Sequence, residues 1–175
     1  MSSDLHGAAA QIVADAGGEL VGRTRLQKIA FLMQLAGFGK DFSFEYRHYG
    51  PYSEDLAQAM EIAAALGPVH EEERTADWGG RYSVYTVGRE SLAPRADREA
   101  FAQAAKSINA VELELAATAA YLHCVEGFEN PWEETRRRKP SKAAQGRLER
   151  AARAYERLRQ MQAAPPLPAL PPLQA

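Results

Sequence analysis

The chain has 175 residues, 46% apolar and 25% charged, which is enough to bury a core without disulfide or metal staples. Its single cysteine, Cys124, excludes an internal disulfide and a cysteine-based zinc cluster. The net charge of −2 hides a split: residues 1–135 carry 11 Lys and Arg against 21 Asp and Glu, whereas residues 136–175 carry 10 against 2. Such asymmetry points either to a binding surface or to a basic segment resting on an acidic one.

Residues 4–16 predict a first helix, with Leu5, Ala9, Ile12 and Val13 on one face, Asp4 near its start and Gly17-Gly18 at its end. This apolar stretch is broken by Gln11 and Asp15, with no basic segment before it. No run approaches the roughly 18 apolar residues of a membrane span, so a cytoplasmic location and no membrane partner are expected. Leu20-Val21 is a stub of strand. In the next segment, GRTRLQKIAFLMQLAG, Leu26, Ile29, Ala30, Met33 and Ala36 recur at helical spacing. Thr24 and Gln27 fit a T-x-x-Q capping box, and Gly37 supplies the stop.

FSFEYRHY, residues 42–49, alternates as a strand does, with Phe42, Phe44, Tyr46 and His48 on one face and Arg47 and Tyr49 on the other. A turn at Gly50-Pro51 follows. Ser53 then caps a third helix, with Glu54 and Asp55 at its positive end and Gly67-Pro68 as its stop. Residues 69–87 read as a β-hairpin turning at Asp77-Trp78-Gly79-Gly80. Further helices are predicted over 95–106, 110–125 (rich in Ala and Leu, hence buried), a short one from Trp132, and a long one over 142–162.

The order helix, short strand, helix, helix, hairpin is that of a winged helix, with a strand inserted between the second and third helices. The expected fold class is α+β, mostly α. It comprises a winged-helix-like core over 1–92, a helical extension packed on it over 93–162, and a disordered Pro-rich tail over 163–175.

GRTRLQKIAFLMQ, followed by FEYRHYGPYSEDL and a hairpin, resembles the YwgA family of uncharacterised bacterial proteins. It is more distantly similar to the Panacea (SocA-like) antitoxin domain, which also pairs an L-Q-K helix with a Y-G-P turn. ELELAATAAYLH and RRRKPSK extend the likeness to roughly residues 5–160. Its most specific pieces are Thr24-Arg25-Leu26-Gln27-Lys28 and Tyr49-Gly50-Pro51-Tyr52-Ser53. The YwgA resemblance implies no chemistry. The Panacea likeness implies neutralisation of a toxin by direct contact, without catalysis, and is an analogy between families.

A winged helix first suggests DNA, read by the third helix in the major groove. That helix, SEDLAQAMEIAAALG, contains Glu54, Asp55 and Glu61 and no Lys or Arg, and would be repelled by phosphates. A second basic surface remains: Arg147, Arg150, Arg153 and Arg157 fall in one stripe opposite Leu148, Ala151, Tyr155 and Leu158. It fits a nucleic-acid-associated regulator, an acidic protein partner, or a helix docked on the acidic part of the chain.

No enzyme is expected. Glu45 and His48 point to opposite faces of a strand, and Ser53 already serves as a cap. His123 and Cys124 are adjacent on a helix and diverge, and His6 and His70 lack ligand-spaced companions, so no metal or cofactor is expected. The Gly-Pro-Ser chemistry at residues 50–53 is structural, but it does not account for Arg47, Tyr49 or His48. Arg and Tyr are enriched at interface hot spots, so Arg47, His48, Tyr49 and Tyr52 are the candidate contacts of an adaptor or antitoxin-like protein, with a toxin as one candidate partner.

Overall fold

The computed structural model describes residues 4–88, 96–161 and 167–174. It is α+β and mostly helical. The elements in chain order are α1 (Leu5–Asp15), β1 (Glu19–Val21), α2 (Arg23–Leu35), β2 (Glu45–Arg47), β3 (Gly50–Tyr52), α3 (Glu54–Leu66), β4 (His70–Thr75) and β5 (Arg81–Thr86). They continue with α4 (Ala96–Lys106), α5 (Ala110–Cys124), α6 (Pro131–Arg138), α7 (Pro140–Ala143) and α8 (Arg147–Arg159). β1, β5 and β4 form an antiparallel sheet in that spatial order, and β2 and β3 form a separate ribbon.

α5 is the shaft of the molecule. All ten residues from Leu113 to Leu122 are buried, because α2, α6, α8 and β3 surround it. A helix with apolar side chains all round is stable only when enclosed in this way. Several local signals act as the sequence predicts. Asp4 caps α1, its Oδ1 accepting from the Gly7 amide at 2.9 Å. Ser53 caps α3, its Oγ accepting from the Leu56 amide at 3.2 Å. After α2, Gly37 has φ +92°, and the amides of Gly37 and Phe38 close on the carbonyls of Gln34 and Met33, satisfying the last turn.

Four expectations are corrected. The capping box is absent: α2 starts two residues earlier than a cap at Thr24 would set it, behind Gly22, without a side-chain cap, and Gln27 is buried elsewhere. The strand at 42–49 is only the short β2, and the turn is His48-Tyr49 rather than Gly50-Pro51. Glu45 lies opposite Tyr52, Tyr46 opposite Pro51, and Arg47 opposite Gly50. Pro51 is tolerated because a two-stranded ribbon leaves an edge that needs no N–H. Phe42, Phe44 and Tyr46 do turn inward, but His48 is exposed. The long helix at 142–162 is two helices, since Gln145 and Gly146 adopt φ +61° and +74° and end α7 before α8 begins. Residues 167–174 lack regular structure but are docked: Leu167 is buried and the Tyr155 hydroxyl donates to the Pro168 carbonyl at 2.6 Å.

Candidate protein-binding cleft

The two most specific motifs of the sequence meet in space. Gln27 and Lys28, adjacent on α2, both reach the backbone that leads from β3 into α3. The Gln27 carboxamide donates to the Ser53 carbonyl at 2.9 Å and accepts from the Ser53 amide at 2.8 Å. The Lys28 ammonium donates to the Pro51 carbonyl at 2.8 Å. Arg25, on the opposite side of α2, donates to the carbonyls of Lys106 and Ile108 at 2.9 and 2.7 Å and so closes the end of α4. A third side chain completes the clamp: the Lys139 ammonium donates to the His48 carbonyl at 2.9 Å. Three points of the hairpin backbone are therefore tied to the body of the protein.

Gly50 is required at the centre of this clamp. Its φ is +92°, and a Cβ there would stand 2.4 Å from the Thr118 hydroxyl on α5. Conformation and space both demand glycine.

The side chains of Arg47, His48 and Tyr49 on the clamped hairpin point outward. Arg47 pairs with Glu45 and, at 3.4 Å, with Glu54, and its guanidinium lies 4.6 Å from the Tyr52 ring centre. The His48 ring meets Tyr49 edge-on at 4.8 Å. Tyr49 is 51% exposed, with the Lys142 ammonium 4.7 Å from its ring. All four predicted contact residues line one cleft of about 390 Å³ between α2, the hairpin, α3 and β5. Leu26, Met60 and Tyr85 give it an apolar lining, and Arg23 and Glu71 pair at 2.9 Å on the β4 side. Sequence reasoning missed these five, because they come from elements far apart in the chain.

Lys28 also lines this cleft although it is 1% exposed. Burial pulls its pKa down to about 8, with Glu114 opposing the fall and Lys139 and Lys142 adding to it. Glu114, on α5, is the buried acid of this network. It accepts from Lys139 at 2.9 Å and from Lys142 at 2.8 Å. A glutamate set between two leucines, Leu113 and Leu115, at the start of an apolar helix was the signal that could have revealed it.

The four arginines of the alternative site divide. Arg147 donates to the carbonyls of Lys142 and Ser141 at 2.7 and 2.6 Å, and Arg150 pairs with Glu112 at 2.6 Å. Arg153 and Arg157 are exposed. Together with Lys139 and Lys142 on Glu114 and Arg138 on Glu126, Arg150 docks the basic segment on the acidic one. Ser53 is fully buried in its cap. His123 is occupied at Nδ1 by the Phe128 carbonyl, 2.8 Å away. Among the described residues no cluster of three His, Cys, Asp or Glu is placed to hold a metal, and no helix is long and apolar enough to cross a membrane.

The chain is similar to the Uncharacterized protein YwgA of Bacillus subtilis (strain 168). The two are 28% identical over 130 residues, which cover 71% of this chain and 78% of the relative. This supports a YwgA-like family. No protein-family model matches the chain.

Proposed function

We propose that this protein is a cytoplasmic, non-enzymatic adaptor or antitoxin-like regulator that captures a protein partner at the β2–β3 hairpin and its cleft. A winged-helix-like core carries the site, a reading supported by the sheet order β1-β5-β4 with α2 and α3 ahead of the β4–β5 hairpin. The observation that carries the proposal is the exposed Tyr49 on a backbone tied down at His48, Pro51 and Ser53. A contact residue held in place before binding loses little entropy on association. Tyr and Arg at the rim of a partly apolar cleft have hot-spot chemistry. The acidic α3, with no Lys or Arg, disfavours DNA as the ligand of this face.

The test is affinity purification of the tagged protein from its native cells, with nuclease treatment, alongside Tyr49→Ala and Arg47→Ala variants. One stoichiometric protein retained by the wild type and lost by Tyr49→Ala is the expected result. A partner retained equally by both variants would overturn the site. Nucleic acid in its place, released by Arg153→Ala with Arg157→Ala, would transfer the function to α8. If the captured protein is a toxin, co-expression should relieve its growth arrest, and the Tyr49→Ala variant should not.

A further inference from the structure

The far side of the same hairpin faces a second cleft, of about 830 Å³, between β2 and the α6–α7 segment. Its walls carry Arg47, His48, Arg137, Lys139, Ser141 and Lys142, and no carboxylate is among its lining residues. Beneath it the charges do not balance. Lys28, Lys139 and Lys142 converge on the single carboxylate of Glu114, leaving two positive charges in excess around a residue that is 4% exposed. Excess like charge near a low-dielectric interior is costly, and an anion at the mouth of the cleft would offset it. The donors to receive one are present. Lys139 uses two of its three N–H groups, on His48 and Glu114. Lys142 holds Glu114 and lies over Tyr49. Arg137 is 70% exposed at its side chain and engages Glu134 through Nε and Nη2, while its Nη1 has no hydrogen-bond partner among the described residues. The Ser141 hydroxyl makes no hydrogen bond among the described residues and is exposed.

We infer that this cleft is a binding site for a phosphate-bearing small molecule, with Lys139, Lys142, Ser141 and Arg137 as its phosphate ligands. A planar guanidinium, two ammoniums and a hydroxyl together match a multiply charged oxyanion better than a single carboxylate. The site is separate from the protein-binding cleft, although Arg47 and His48 border both.

Isothermal titration with inorganic phosphate, pyrophosphate and ATP tests it, in a buffer of physiological ionic strength. The expected result is saturable, one-to-one binding of pyrophosphate. Lys142→Ala should weaken it about tenfold, the loss of one charge-assisted hydrogen bond. Ser141→Ala, at an exposed side chain without partners, weakens it without affecting folding, so loss of binding there cannot be attributed to unfolding. Arg153→Ala with Arg157→Ala leaves it unchanged. ATP binding more tightly than pyrophosphate would identify a nucleotide as the ligand, and equal affinities would identify the phosphate group alone. The proposal is overturned if millimolar pyrophosphate gives no saturable heat, or if Ser141→Ala and Lys142→Ala bind as the wild type does. It is also overturned if only single-stranded oligonucleotides bind, in proportion to their length.

Discussion

The Gln27 side chain and the Ser53 backbone form a reciprocal pair, N–H to carbonyl in both directions, at 2.9 and 2.8 Å across 26 residues of sequence. Both residues are buried. Gln27→Ala leaves the buried Ser53 amide without a partner, while the Ser53 carbonyl keeps the Ala57 amide at 3.2 Å, at a cost of about 1–3 kcal/mol. Gln27→Glu keeps the acceptor but sets a carboxylate against the Ser53 carbonyl, and is destabilising at neutral pH. Urea denaturation followed by circular dichroism reads both. An unchanged midpoint for Gln27→Ala would remove the clamp from the account of this fold.

Gly50→Ala is predicted to cost more than a typical glycine replacement. The left-handed backbone alone costs an alanine about 1–2 kcal/mol, and the new methyl meets the Thr118 hydroxyl at 2.4 Å. That hydroxyl is buried and has no hydrogen-bond partner among the described residues. In a Thr118→Ala background the clash disappears, the nearest remaining contact being the Thr118 Cβ at 3.6 Å. Gly50→Ala should then cost about 1 kcal/mol less, a coupling that a double-mutant cycle in urea measures. Additive effects would mean that conformation alone requires this glycine.

What the sequence revealed and what it concealed divide along the same line. Caps, stops and the β4–β5 hairpin depend on neighbours within a few residues, and Asp4, Ser53, Gly37 and Gly67 act where the pattern places them. The capping box failed because Thr24 and Gln27 satisfy a local rule while Gln27 has a better partner 26 residues away. The hairpin turn was misplaced for a related reason: Gly-Pro is a turn signal, but Gly50 takes its positive φ to approach Thr118, inside a strand. The contact residues Arg47, His48, Tyr49 and Tyr52 were legible because turn chemistry could not account for all of them. The Lys28–Glu114–Lys139 network was not, since its members lie on α2, α5 and the α6–α7 joint.

The lowered pKa of Lys28 gives stability a pH dependence with a definite sign. Below about pH 8 the lysine is protonated in both states, and the folded state carries the full cost of its burial. Between about 8 and the ordinary value of 10.5, the unfolded chain holds a proton that the folded chain has released. Stability therefore rises with pH in this window, by up to about 3 kcal/mol. Other alkaline titrations are shared by Lys28→Met, so the difference between the two proteins isolates the effect. The wild type should gain on the variant from pH 8 to 10.5, and parallel curves would show that Lys28 titrates normally.

The arginines of α8 should separate by role. Arg147→Ala removes two hydrogen bonds to the carbonyls of Ser141 and Lys142, next to the positive-φ residues Gln145 and Gly146. It is expected to lower stability by about 1–3 kcal/mol, since these bonds come from a charged donor. Arg153→Ala and Arg157→Ala, at exposed positions, should stay within about 0.5 kcal/mol of the wild type. Equal effects for all three would mean that Arg147 does not hold the joint between α7 and α8.

The C-terminal segment is predicted to contribute to the core despite its proline content. Leu167 is 2% exposed, Leu170 and Leu173 pack against the core, and the Gln174 amide donates to Glu133 at 3.2 Å. Truncation after Met161 removes one fully buried leucine, worth about 1.5–3 kcal/mol, and two that are partly buried. It also exposes the Tyr155 hydroxyl, which loses the Pro168 carbonyl and gains water. Tyr155→Phe should therefore cost about 1 kcal/mol in the full chain and almost nothing in the truncated one. That difference separates a docked tail from a general loss of chain length. A truncated protein with an unchanged urea midpoint, or a Tyr155→Phe effect that survives truncation, would mean that the tail does not hold this position in solution.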